Sequence, residues 1–121
     1  MKKEYQVKDL VNEIYNVIDE KKGDNIVIIR FTPDITTLCD YFVIAEAESD
    51  RQLKAIADGI QRQIKTKFHT RPLHVEGENN AQWIVLDYLD VIVHLFSPEM
   101  RQFYALEQLW ADAEQFDKPL K

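Results

Sequence analysis

The sequence predicts a single α/β domain, in which helices flank a mixed β-sheet of about five strands. Two short, nearly all-apolar segments at residues 26–31 and 41–45 are typical of strands that are buried on both faces. Around them, apolar residues recur at helical spacing. The predicted order of elements, α-β-β-α-β-β-β-α, leaves connections long enough for a crossover between parallel strands.

The first helix is predicted from apolar residues at i, i+3, i+4 and i+7 spacing. These residues are Val7, Leu10, Val11, Ile14, Val17 and Ile18. Lys21 and Lys22 suit the negative end of the helix dipole, and Gly23 is expected at the C′ position. The strand at 26–31 follows and ends at Thr-Pro-Asp, residues 32–34.

The second helix is predicted to begin after Ser49, downstream of the strand at 41–45. Ser49 and Gln52 match a capping box, in which each side chain bonds the backbone N–H of the other residue. An apolar stripe follows at helical spacing. It consists of Leu53, Ile56, Ala57, Ile60 and Ile64.

The second half predicts a short strand at 72–75 and a hairpin from strands at 83–88 and 91–96. Because the connection lacks Asn-Gly or Asp-Gly, a non-glycine residue is expected to adopt positive φ there. Ser97 followed by Pro98 predicts a helix start, with the helical region continuing to Trp110.

Residues 1–121 are expected to form one domain, with a tail from about residue 114 that frays. The chain is 45% apolar and has a formal net charge of −6, which argues against phosphate-backbone binding and for a basic protein partner. We expect no direct nucleic-acid binding. Without a leader or a membrane-length apolar segment, we expect a cytoplasmic protein with no membrane contact.

The sequence offers little chemistry, and we expect no catalytic residue, cofactor or metal site. The three glycines are too scattered for a phosphate-binding loop. The histidines His69, His74 and His94 have no metal-ligand spacing. The one cysteine, Cys39, excludes an internal disulfide and is expected to pack as a small buried apolar residue.

Carboxylates cluster around the predicted hairpin. Asp87 and Asp90 bracket its turn, and Glu76 and Glu78 precede it. Such groups can hold Mg²⁺ or act as acid and base. An alternative is therefore a nucleotide-using enzyme in which Asp87, Asp90 and Glu76 are metal ligands. Turn capping or contact with a partner explains them more simply, because neither a nucleophile nor a cleft is identifiable.

Large aromatic residues are dense in the same region, and alternation places Trp83 and Tyr88 on opposite faces of their strand. The set consists of Trp83, Tyr88, Phe96, Phe103, Tyr104 and Trp110. A domain of this size is not expected to bury all of them, so they favour a binding module or homo-oligomer over an enzyme. A homodimeric scaffold with another protein partner is a further alternative.

An ordered string of motifs spans roughly residues 10–113. The string comprises Asp40-Tyr-Phe-Val-Ile-Ala45, Ser49-Asp-Arg-Gln-Leu-Lys-Ala-Ile-Ala-Asp58, Val75-Glu-Gly-Glu-Asn79, Trp83-Ile-Val-Leu-Asp-Tyr88, Asp90-Val-Ile-Val-His-Leu-Phe96, Arg101, Tyr104 and Leu106-Glu-Gln-Leu-Trp110. It resembles the ribosomal silencing factor family, RsfS, also called Iojap.

The resemblance implies a nucleotidyltransferase-like topology without that group's catalytic residues, and often a homodimer. It implies binding to the large ribosomal subunit through large-subunit ribosomal protein fourteen. Bound there, such a factor blocks association with the small subunit and represses translation when nutrients are limiting. The bacterial form of the family is cytoplasmic.

Carried over by position, the implied partner-binding residues are Trp83, Asp87, Tyr88, Asp90, Glu76, Arg101 and Tyr104. The aromatic side chains would anchor the partner and the carboxylates would meet its basic side chains, whereas His94 is interpreted as structural. The sequence departs from the family pattern in two places. Leu89 stands where many members have glycine, and Glu46-Ala-Glu48 stands where many have Thr-Gly-Thr.

Overall fold

The computed structural model describes residues 5–121 and confirms the predicted mixed α/β sheet. The helices are α1 Val7–Glu20, α2 Asp50–Phe68, α3 Pro98–Tyr104 and α4 Leu106–Leu109. The strands are β1 Asp24–Arg30, β2 Tyr41–Glu46, β3 His74–Glu76, β4 Trp83–Asp87, β5 Val91–Phe96 and β6 Glu114–Phe116. They form one sheet in the order β3-β4-β5-β2-β1-β6, where only β2 and β5 pair in parallel.

Helices α1 and α2 cover one face of this sheet, which we call the helix face. Their apolar stripes lie against alternate residues of the strands, including Val43, Ile84, Leu86 and Val93, all of which are buried. None of the helices in residues 5–121 is long and apolar enough to cross a membrane.

The opposite face, which we call the second face, carries a smaller core. Its buried residues are Ile29, Phe31, Cys39, Phe42, Ile44, Phe96, Leu106 and Ala113. Cys39 is buried as the sequence predicts, and burial raises the pKa of its thiol to about 11. Helices α3 and α4 are short, so this face has less helical cover than the helix face.

The end of α1 differs from the sequence prediction in one position. Lys22, with φ 68°, occupies the left-handed C′ position that was predicted for Gly23. The N–H of Lys22 bonds the carbonyl of Asp19, and the N–H of Gly23 bonds that of Ile18 at 2.9 Å, which is the Schellman pattern. Gly23 is one residue further on, where a Cβ would lie 2.4 Å from Ile18 Cγ2.

The predicted capping box at the start of α2 is half formed. Ser49 Oγ accepts from the N–H of Gln52 at 3.1 Å, as predicted. The Gln52 side chain does not reach back to Ser49. It donates instead to the carbonyls of Lys21 and Lys22, and so ties α2 to the end of α1.

The C-terminal region differs more. Ala105, with φ 46°, divides the predicted continuous helix into α3 and α4. The sequence favours a frayed tail from about residue 114, but Glu114–Phe116 forms β6 beside β1. The tail then returns to α1, where Asn12 and the backbone of Leu120 exchange hydrogen bonds of 2.9 and 2.7 Å.

The hairpin of β4 and β5 has the predicted non-glycine residue at positive φ, which is Leu89 at 76°. Asp87 Oδ1 accepts from the Leu89 N–H at 2.8 Å and caps the turn. A left-handed conformation is easier for glycine, which is the residue that the resemblance implies at this position in many family members.

The loop before β4 depends on Gly77, which has φ +87°. A Cβ at this position would lie 1.9 Å from the Trp83 carbonyl oxygen. Both the backbone conformation and the close approach to β4 therefore require glycine.

We expect Gly77→Ala to lower the free energy of unfolding by about 2 kcal/mol or more, because strain and a backbone clash add. Gly59→Ala in α2 is the matched control. Its Cβ would meet only the flexible end of the Lys21 side chain, so helix propensity should leave stability unchanged or raise it by up to about 1 kcal/mol. Urea unfolding of both variants tests this, and equal destabilisation would contradict it.

Candidate functional site

The second face is only partly covered where β3, β4 and β5 lie side by side. Register places alternate residues of these strands on this face. His94 and Phe96 of β5 are buried there, whereas the others are half-buried or exposed. We call this surface the open face. It consists of His74, Glu76, Trp83, Val85, Asp87 and Ile92.

Trp83 is the largest side chain of the open face. Its ring stacks on Phe96 with centroids 5.0 Å apart, and Tyr104 from α3 lies 4.3 Å from it at a tilt of 43°. Phe103 extends this aromatic group outward, at 75% exposure. Partly exposed rings that are packed on a buried one in this way present a rigid apolar surface, which is typical of protein–protein contact sites.

The indole of Trp83 also makes a polar contact below the surface. Its Nε1–H donates to Nδ1 of His94 at 3.1 Å. His94 is 7% exposed, and burial lowers its pKa to about 4, which keeps the ring neutral near pH 7. Because Nδ1 accepts, the ring proton of neutral His94 is on Nε2, which has no partner within residues 5–121.

Charge in this half of the chain is one-sided. From Leu73 to Asp117 the sequence has nine acidic residues and one basic residue, Arg101, whereas residues 1–72 have twelve of each. Glu76 is exposed on the open face, and Asp87 and Asp90 are half-buried at the turn beside it. The surroundings of the aromatic group are therefore suited to a cationic partner.

The structure brings together five of the seven sequence-predicted partner residues. Trp83, Glu76, Asp87, Asp90 and Tyr104 lie on or beside the open face. Asp90 lies in the turn between β4 and β5, where its backbone carbonyl accepts from the N–H groups of Asp40 and Tyr41 at the start of β2.

Tyr88 is not part of this surface. Its side chain belongs to the core of the helix face at 6% exposure, because alternation along β4 turns it away from Trp83. Its hydroxyl has no hydrogen-bond partner among the described residues, and desolvation raises its pKa. The predicted role as a surface anchor does not fit this position.

Arg101 is also buried rather than presented to a partner. Its guanidinium pairs with Glu107 at 2.8 Å and Glu46 at 3.3 Å, and it donates to the carbonyl of Asn25. The group holds α3 to β1 and β2. Glu46 belongs to the segment where the resemblance implies Thr-Gly-Thr in many family members, and in this chain it forms an internal ion pair with Arg101.

Sequence reasoning did not identify Val85 or Ile92 as site residues. Both are half-buried apolar residues in the middle of the open face. Alternation from Trp83 places Val85 on this face, whereas Ile92 needed the register of β5 against β4. The charge asymmetry between the two halves is a sequence signal that a regional count reveals.

The carboxylates do not assemble into a metal site. Within residues 5–121, no group of three or more His, Cys, Asp or Glu side chains is placed to hold a metal ion. Asp87 instead caps its own turn. This arrangement does not favour the alternative in which Asp87, Asp90 and Glu76 bind a metal for nucleotide chemistry.

Comparison with known proteins agrees with the motif resemblance. Residues 4–121 match the family model described as ribosomal silencing factor during starvation. The ribosomal silencing factor RsfS of Bacillus subtilis is 37% identical over 98 residues, which are 78% of this chain and 79% of that protein. A mouse protein named mitochondrial assembly of ribosomal large subunit protein 1 is 29% identical over 83% of this chain and 44% of its own length.

A solved structure shares the fold. The crystal structure of a Chromobacterium violaceum protein superposes with a TM-score of 0.83 and is 27% identical to this chain. The match covers 88% of each of the two chains.

We expect Arg101→Met to lower the free energy of unfolding by about 3 kcal/mol or more, because two carboxylates lose their buried counter-ion. Arg30→Met is the matched control. Arg30 pairs with Glu114 in an exposed bridge of 3.3 Å, so its loss should cost less than about 1 kcal/mol. Urea unfolding at low salt measures both, and similar small losses would show that the Arg101 pairs contribute little.

His94 predicts a pH dependence of stability. Its pKa falls from 6.5 to about 4 on folding, so between these values the unfolded chain binds more protons. Stability should therefore be full above about pH 6.5 and fall by about 2 kcal/mol from pH 7 to pH 5. We expect His94→Phe to lack this component in urea unfolding. His74→Gln, at an exposed position, should retain it, and an unchanged slope in His94→Phe would contradict the assignment.

Proposed function

Because the chain belongs to the ribosomal silencing factor family, we propose that it binds the large ribosomal subunit and prevents association with the small subunit. The family description supports a role in ribosome silencing. The name of the mouse relative links that protein to the large subunit. The outcome would be repression of translation, under nutrient limitation as the description of the family indicates.

The open face is the surface that we assign to this contact, with large-subunit ribosomal protein fourteen as the partner. The single observation that carries this assignment is the aromatic group around Trp83 within a strongly acidic region. Proteins that coat ribosomal RNA offer basic side chains, which carboxylates such as Glu76 and Asp87 attract. Trp83 and Tyr104 would supply the desolvated centre of the interface.

The proposed mechanism is occlusion, without catalysis. A chain of 121 residues has a radius of gyration of about 14 Å when compact. A body of this size at the joining surface excludes the small subunit sterically. An interface of ordinary size, about 800 Å² on each partner, would be enough to hold it there.

We also propose that the protein forms a homodimer and acts in the cytoplasm. Phe103 on α3 and Leu109 on α4 support a contact between two copies of the chain, because both are large, exposed apolar residues. Solution mass by light scattering tests the dimer. A mass near twice 14.3 kDa would support it, and a mass near 14.3 kDa at micromolar concentration would exclude it.

The central test is co-sedimentation of the purified protein with isolated bacterial large subunits, followed by addition of small subunits. We expect the protein to sediment with large subunits and to reduce the yield of joined ribosomes. Trp83→Ala should weaken binding by about 2 kcal/mol or more, roughly thirtyfold, if it is the centre of the interface. Circular dichroism must show that the variant is folded.

Charge reversal separates the open face from the rest of the surface. Glu76→Lys should weaken binding, and the loss should shrink as salt rises because the carboxylate acts through screened attraction. Glu20→Lys at the exposed end of α1 is the matched control and should bind normally. Absence of co-sedimentation by the unaltered protein would overturn the proposed function. Equal binding by Glu76→Lys and Glu20→Lys would instead show that the open face is not the surface that contacts the large subunit.

A further inference from the structure

We propose that His94 is a positioning residue for the open face. It fixes the orientation of the Trp83 indole through the hydrogen bond between the two side chains. The proposal rests on the proposed function for the identity of the partner. It rests on geometry for the role of the histidine.

The first observation is that His94 cannot itself meet a partner. It is 7% exposed and lies in β5, directly opposite Val85 of β4 and Ile44 of β2. Any effect of His94 on binding must therefore pass through a neighbouring side chain. Trp83 is that neighbour, because its Nε1–H donates to His94 Nδ1 at 3.1 Å.

The second observation is that the imidazole ring is held firmly in place. Phe42 packs edge-on against it with centroids 4.4 Å apart, and Phe96 stacks at 6.1 Å with planes only 10° apart. Nδ1 therefore has a fixed direction. A fixed acceptor determines where the indole N–H points, and with it the orientation of the ring that Trp83 shows on the open face.

The third observation is that histidine is a costly residue in this position. Its Nε2 has no hydrogen-bond partner among residues 5–121, although it is buried. Phenylalanine would fill a similar volume in this aromatic cluster without an unpaired polar group. Among the described residues, the one side-chain hydrogen bond of the imidazole is the bond to Trp83. We therefore assign to the buried histidine the function of orienting the Trp83 indole.

The bond also has a consequence for the indole. Trp83 is half-buried, so its N–H needs a partner on the inner side of the ring. Without an acceptor at position 94, the N–H must turn toward water to be satisfied. The ring would then leave its stack on Phe96 and its contact with Tyr104, and the surface offered to the partner would change.

A double-mutant cycle on binding to isolated large subunits tests the proposal. We expect His94→Phe to weaken binding about fivefold to tenfold, the effect of losing one hydrogen bond. In a Trp83→Phe background the same change should have no further effect, since phenylalanine has no N–H to orient. His94→Asn, whose Oδ1 stands near the position of Nδ1, should restore part of the affinity.

The indole resonance gives a readout that does not depend on the ribosome. In ¹⁵N-labelled protein, Trp83→Phe identifies the Nε1–H signal of Trp83, and Trp110 serves as the internal reference. His94→Phe should shift the Trp83 signal and speed its hydrogen exchange, while the Trp110 signal stays in place. An unchanged Trp83 signal in His94→Phe would overturn the hydrogen bond itself.

The remaining outcomes are distinct. If the unaltered protein does not sediment with large subunits, the proposed function fails, and the partner role of His94 fails with it, whatever the indole signal shows. If the protein binds but folded His94→Phe binds equally well, positioning is overturned and the proposed function stands. If His94→Phe weakens binding equally in both backgrounds, its role is structural and does not act through Trp83.

Discussion

The central strand pair of the sheet imposes the main constraint on this protein. β2 and β5 pair in parallel and are apolar on both faces, so both faces must be covered. Helices α1 and α2 satisfy the first requirement with two long apolar stripes. The second face must be closed by the short helices α3 and α4 and by aromatic rings from the strands themselves. This difference in cover divides the molecule into a helix-covered side and an aromatic side.

The candidate interface follows from this unequal cover. The short helices reach the middle of the second face and leave the outer strands β3 and β4 partly open. Trp83 stands at the boundary, with Phe96 beneath it and Tyr104 beside it. It thus belongs both to the core of the second face and to the surface. A side chain in such a position must be oriented from below, and a buried polar acceptor does this more precisely than apolar packing alone.

Charge has a matching organisation. The single basic residue between Leu73 and Asp117 is Arg101, and it forms internal ion pairs with Glu46 and Glu107. The guanidinium that holds α3 against the sheet is therefore buried and adds no positive charge to the surface. The surface of this half is left strongly acidic, which favours a basic partner and disfavours a bare phosphate backbone.

The sequence by itself determined the helices with apolar stripes, the central strands, the hairpin and the family, because periodicity, capping residues and motif order are local properties of the chain. It also placed Trp83, Val85 and Asp87 on one face of β4. Only the tertiary structure decided that Tyr88 and Arg101 are buried, that residues 114–116 form an edge strand, and that His94 lies beneath Trp83. Each of these depends on which segment packs on which. In each case residues distant in sequence come into contact through strand register or long-range ion pairs, and local sequence patterns do not predict such contacts.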